Sequence, residues 1–165
     1  MKKTFVSISI VLALTLLLSV STALAKAELI ALEGTEDIFI AGAPGSMWEA
    51  DGWVQQRDVP FTGAFDFGTL SGTETQLVNA KVNPVTGEGH VWGVVTYTDS
   101  STGITCSGIL EAKLTSFLRT AKVVAPCSDG SLLKGTIQDM ELIFPPGSPA
   151  PSEVISEFNG ELLSH

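Results

Sequence analysis

A chain of 165 residues with 18 acidic and 9 basic side chains, net charge −9, repels phosphate backbones and anionic lipid, which argues against nucleic acid and membrane-surface partners. Two histidines and two cysteines are too few for a metal centre with nitrogen or sulfur ligands, so no metal and no cofactor is expected. The length suits one domain that buries about two-thirds of its unfolded surface.

The first elements concern export. Lys2 and Lys3 precede an apolar run from Phe5 to about Leu18, and Ala23-Leu24-Ala25 supplies an A-x-A cleavage pattern before Lys26. Residues 1–25 therefore read as a signal peptide, leading to a periplasmic or extracellular location with no membrane insertion after cleavage. An uncleaved anchor is the alternative, but Ser19, Ser21, Thr22 and the cleavage triplet speak against it. The leader removes two lysines and no acid, so the mature chain of 140 residues carries −11.

Beyond the leader the pattern is β almost throughout, and no long stretch sustains a helical period. Leu29–Leu32 and Ile38–Ala41 read as a first strand pair, broken at Ala43-Pro44-Gly45-Ser46 before Trp48. Phe61, Phe65 and Phe67 share one face of a strand, and Gly72–Val82 is another. His90-Trp92-Val94 alternates with Val91-Gly93-Val95-Tyr97, both faces fairly apolar. Residues 104–115 alternate as a half-buried antiparallel strand does, and Thr120–Ala125 and Leu132–Asp139 continue the series. Turn signals separate them at Asn83–Gly87, Asp99–Gly103 and Ser128–Gly130. Short links between long strands predict a single all-β domain over 26–144, an up-and-down antiparallel barrel of about eight strands, with a two-sheet sandwich as the alternative. Gly93, Gly108 and Gly135 supply the bends that curl such a sheet.

Residues 145–165 read as a Pro-rich connector (Pro145, Pro146, Pro149, Pro151) followed by an appended element. That element is read as strand, Val154–Phe158 and Glu161–Ser164 flanking a hairpin signal at Asn159-Gly160, with a short helix capped by Ser152 and ended by Gly160 as the alternative.

Cys106 and Cys127 read as a disulfide. An even count in an exported chain favours it over two buried thiols. A hairpin bending near Ser116-Phe117 also sets them opposite one another. No C-x-x-C redox motif is present.

No Gly-x-Ser-x-Gly elbow marks a nucleophile, and His90 is a lone strand histidine. Glu36-Asp37, Glu49-x-Asp51 and Asp99 do not follow a calcium-loop pattern and read as solvated acidic turns. The composition therefore leans away from an enzyme. The expected ligand site is an apolar cavity inside the barrel for a small apolar or amphipathic molecule. Phe65, Phe67, Trp92, Val94 and Leu110 would line cavity or core, and His90 and Tyr97 would be its polar contacts. By alternation, at most one of the last two points inward. Three other readings compete: a cyclase- or isomerase-like barrel enzyme, a carbohydrate-binding surface on Trp48 and Trp53, and a structural interaction module.

Phe61-Thr62-Gly63-Ala64-Phe65, Asn83-Pro84-Val85-Thr86-Gly87-Glu88-Gly89 and Gly130-Ser131-Leu132-Leu133-Lys134-Gly135-Thr136 give residues 61–139 a resemblance to the small exported barrels of allene oxide cyclases and dirigent proteins. The resemblance implies an eight-stranded antiparallel barrel with an apolar interior and homo-oligomeric assembly. It carries no catalytic residue onto this chain, so activity does not follow from it. The Gly-x-Trp signature of lipocalins is missing, since Gly52 and Trp53 are adjacent.

Overall fold

The computed structural model describes residues 27–143 and 151–164. Residues 1–25, expected to be a signal peptide, and Pro145, Pro146, Pro149 and His165 lie outside the described residues. Nine strands follow one another: β1 (Glu28–Ile40), β2 (Ser46–Ala50), β3 (Trp53–Asp66), β4 (Ser71–Val82), β5 (Gly89–Asp99), β6 (Thr105–Thr115), β7 (Leu118–Pro126), β8 (Leu132–Ile143) and β9 (Glu153–Ser164). From β3 to β9 each pairs antiparallel with its neighbour in sequence, β9 then pairs with β1, and β1 pairs with β3. The result is a closed eight-stranded antiparallel barrel with one extra strand. That extra strand, β2, pairs with the start of β3, ahead of the stretch that β1 occupies. Closure leaves no room for the sandwich alternative.

Alternation produces the staves. In β7, Arg119, Ala121, Val123 and Ala125 are buried while Thr120, Lys122, Val124 and Pro126 are exposed. The β6–β7 bend is a two-residue turn at Ser116 and Phe117, both with positive φ, as the twist of a tight hairpin requires. Cys106 and Cys127 are bridged at its base, with Cα atoms 3.9 Å apart. On the chain-entropy account, closing a loop of this size contributes about 3 kcal/mol.

Closure depends on glycine at the β1–β3 seam. A Cβ on Gly63 would lie 2.0 Å from the Asp37 carbonyl oxygen, and one on Gly34 would lie 1.7 Å from that of Asp66. Neither approach is open to any other residue.

Two expectations need correction. Leu29–Leu32 and Ile38–Ala41 are not a strand pair: Leu29–Leu32 and residues 38–40 belong to the single long strand β1. The C-terminal segment is strand, as one of the two readings had it, but β9 is a stave bonded on both sides rather than an appended element, and it is neither hairpin nor helix. Asn159-Gly160 does not turn; Gly160 faces Gly135 across the sheet. Both glycines make room for the Phe158 ring, whose Cζ lies 2.2 and 2.6 Å from where their Cβ atoms would be. Packing therefore overrides a local turn signal.

The interior is filled. Phe67 and Phe158 stack at 3.9 Å, and Phe65 and Tyr97 pack against Phe67 at 4.9 and 5.4 Å. Leu32, Val95, Leu110, Val123, Leu133 and Ile137 complete this core.

Candidate functional site

The residues expected to line the barrel separate by parity. Phe65, Phe67, Tyr97 and Leu110 are inside and buried. Trp92, Val94 and His90 are on the outer face, with Val94 53% exposed, so their assignment to the interior is corrected. Both faces of β5 are apolar, and the sequence therefore did not mark which side is in.

The interior also holds a polar layer that the sequence reading missed. Arg119 donates from Nε to Asp139 (2.9 Å), and from its two terminal nitrogens to Gln76 (3.0 Å), Glu36 (2.6 Å) and Ser156 (3.2 Å). Its backbone N–H donates to the second Asp139 oxygen, and Ser156 donates to the first. Tyr97 donates to Glu36 at 3.4 Å. Gln76 donates to one oxygen of Glu74, whose other oxygen is buried without a partner among the described residues. Glu36 is thus a core residue rather than part of a solvated turn.

Three carboxyl groups surround one guanidinium. Burial alone would lower the guanidinium pKa, but Glu36 and Asp139 more than offset it and Arg119 stays ionised. Glu74 is pushed well above the usual carboxylate range by burial and by the Glu36 charge, which favours its protonated form. The Tyr97 hydroxyl is also raised, by burial and then by Glu74 and Glu36. On one side of this layer lies the aromatic core. On the other, Ile38, Val59, Val78, Ala80, Leu114 and Val154 are all buried and cover it.

Two open depressions, of about 370 and 600 Å3, lie instead on the outer surface over β8, β9 and their neighbours. Lys122, Lys134 and Asn159 line the first, and Glu33, Gln138 and Glu157 the second.

The outer face also collects every tryptophan of the chain. Trp48 on β2, Trp53 on β3 and Trp92 on β5 all point outward, and Trp48 is 40% exposed. Arg57 bridges two of them, its guanidinium 4.8 Å from the centre of the Trp92 ring and 5.8 Å from that of Trp48. Lys81 lies 5.1 Å over Trp53. His90 also stacks on Trp92, with ring centroids 5.3 Å apart and an interplanar angle of 23°. Cations over indole faces hold the rings in fixed orientation at modest energy, about 0.5–1 kcal/mol each when exposed. The signal available in the sequence was the β2–β3 hairpin: Trp48 pairs with Gln55 and Ala50 with Trp53.

Fold and surface together define a class: a filled, closed antiparallel β-barrel with an outward aromatic platform. Comparison of the chain with known protein families, with curated proteins and with solved structures gives no match. The disulfide is compatible with an oxidising, exported environment.

Proposed function

We propose that this protein is an exported carbohydrate-binding module that holds a neutral glycan on Trp48, Trp53 and Trp92. One observation carries the reading: Trp48 and Trp53 on the β2–β3 hairpin and Trp92 on β5 share one outer patch, while phenylalanines and a tyrosine fill the interior. A pyranose ring has an apolar C–H face edged by hydroxyls. An indole matches the face, and Gln55, beside Trp48 on the neighbouring strand, supplies an amide for the hydroxyls. The strong negative charge of the whole chain favours a neutral polymer over a polyanionic one. The filled core favours this reading over carriage of a small apolar ligand.

Affinity electrophoresis of the exported, oxidised protein through gels containing a soluble β-glucan, a xylan or a galactomannan tests it. At least one polymer should retard migration, and Trp48→Ala should relieve most of that retardation. Migration unaffected by the whole panel, or retardation unchanged by Trp48→Ala, would overturn the assignment.

A further inference from the structure

The outer wall of β3–β7 carries a second feature, which begins one row from Trp92 and runs away from it. Pro60, Leu77, Val94, Ile109 and Val124 are successive cross-strand partners and form one unbroken apolar row. Leu77, Val94, Ile109 and Val124 are all exposed, Ile109 to 68%. Two further rows run beside it: Thr62–Thr75–Thr96–Ser107, then Ala64–Thr73–Thr98–Thr105. None of these thirteen positions is charged. The rest of the outer wall is different, with Glu33, Asp37, Lys122, Lys134 and Glu157 exposed along it.

We propose that this uncharged wall is the docking surface for a second copy of the same chain, packed face to face about a twofold axis. Charge selects the partner. A chain carrying −9 overall repels its own copies, and this wall lets two of them touch without opposing like charges. The hydroxyl rows suit self-association because each hydroxyl both donates and accepts, as the Thr96–Ser107 pair at 3.0 Å illustrates. A row of lysines or aspartates would not be complementary to itself. Valine, isoleucine and threonine are stiff at χ1, so little side-chain freedom is lost on contact. Edge-to-edge growth has little to use among the described residues: β2 and the start of β1, each paired on one side. An anionic lipid surface is disfavoured, since no basic residue lies within the three rows.

Five strands at about 4.8 Å spacing give a contact roughly 19 Å wide, small enough that the dimer should be reversible. Sedimentation velocity on the exported, oxidised protein between about 1 μM and about 1 mM, a range spanning weak association, tests the proposal. The sedimentation coefficient should rise with concentration toward that of a dimer. Ile109→Glu should weaken dimerisation at least tenfold while leaving the far-UV spectrum and polysaccharide retardation intact. Val94→Glu should act alike, and Lys134→Gln on the charged wall should change nothing. A wild-type chain that stays monomeric throughout, or a dimer insensitive to both wall variants, overturns the proposal. Either result leaves the tryptophan platform standing or falling on its own test.

Discussion

The polar layer inside the barrel and the apolar row outside it invert the usual arrangement, and they differ in how their groups are satisfied. Inside, Arg119, Glu36, Asp139, Gln76 and Ser156 are mutually bonded, and one oxygen of Glu74 stands alone. Outside, Leu77, Val94 and Ile109 meet one another across the sheet but have nothing above them. A buried charge must find its partners within the fold, since leaving it unpaired costs several kcal/mol. An exposed apolar row costs far less and can wait for a partner from outside. The inner layer is therefore internal to the fold, and the outer wall is where interaction with other molecules belongs.

Removing the shared cation should break the inner half of this comparison hardest. Arg119→Met leaves Glu36 and Asp139 buried without their partner, and a loss of about 3–5 kcal/mol is expected. Calorimetry should show the melting temperature falling by roughly 10 °C or more for a chain of this size. Cys106→Ser comes next, at about 3 kcal/mol under oxidising conditions. The same calorimetric measurement in reductant should erase most of the difference from wild type.

Glu74→Gln sharpens the comparison through pH. The folded-state pKa of Glu74 is raised, so between the ordinary carboxylate value and the raised one the native state binds the proton and the unfolded state does not. Stability contributed by that proton is complete below about pH 4.3 and is lost as pH rises through the raised value. Asp99 and Asp129 act in the opposite sense. Hydrogen bonds from Ser101 and Thr102, and from Ser131, hold their pKa values below the usual range. Their contribution is present above about pH 4 and is lost on further acidification. Denaturant melts at successive pH values should show wild-type stability declining on the alkaline side, and Glu74→Gln should flatten that decline.

The smallest effect on stability is expected on the outer wall. Ile109→Glu should fall within about 0.5 kcal/mol of wild type in urea melts, as exposed substitutions do, even while it weakens dimerisation at least tenfold. Such a split between folding and association is what separates a docking face from a core.

The sequence carried the barrel well because period-2 alternation and compact turns survive in almost every stave. Its failures have local causes. His90, Trp92 and Val94 lie on one parity of β5 and Val91, Val95 and Tyr97 on the other, and hydrophobicity does not distinguish them. Asn159-Gly160 reads as a turn, but Gly160 is small for the sake of the Phe158 ring. The polar layer was legible in principle. Arg119 shares its parity with Ala121, Val123 and Ala125, and Glu74 and Gln76 share theirs with Val78 and Ala80. A charge on the apolar parity of a strand is the mark of a buried ionic group. What alternation cannot supply is the partner, because Glu36 and Arg119 are 83 residues apart. Trp48, Trp53 and Trp92 likewise converge only once the register of β2 to β5 is known.

The account's central claim is that recognition takes place on the outside of the barrel. Its most direct test is polysaccharide affinity electrophoresis of two folded variants side by side, Trp48→Ala on the platform and Phe67→Leu in the core. The account predicts that Trp48→Ala migrates freely through the polymer that retards wild type, while Phe67→Leu is retarded as wild type is. Loss of retardation in Phe67→Leu with full retention in Trp48→Ala would place recognition in the interior and contradict it.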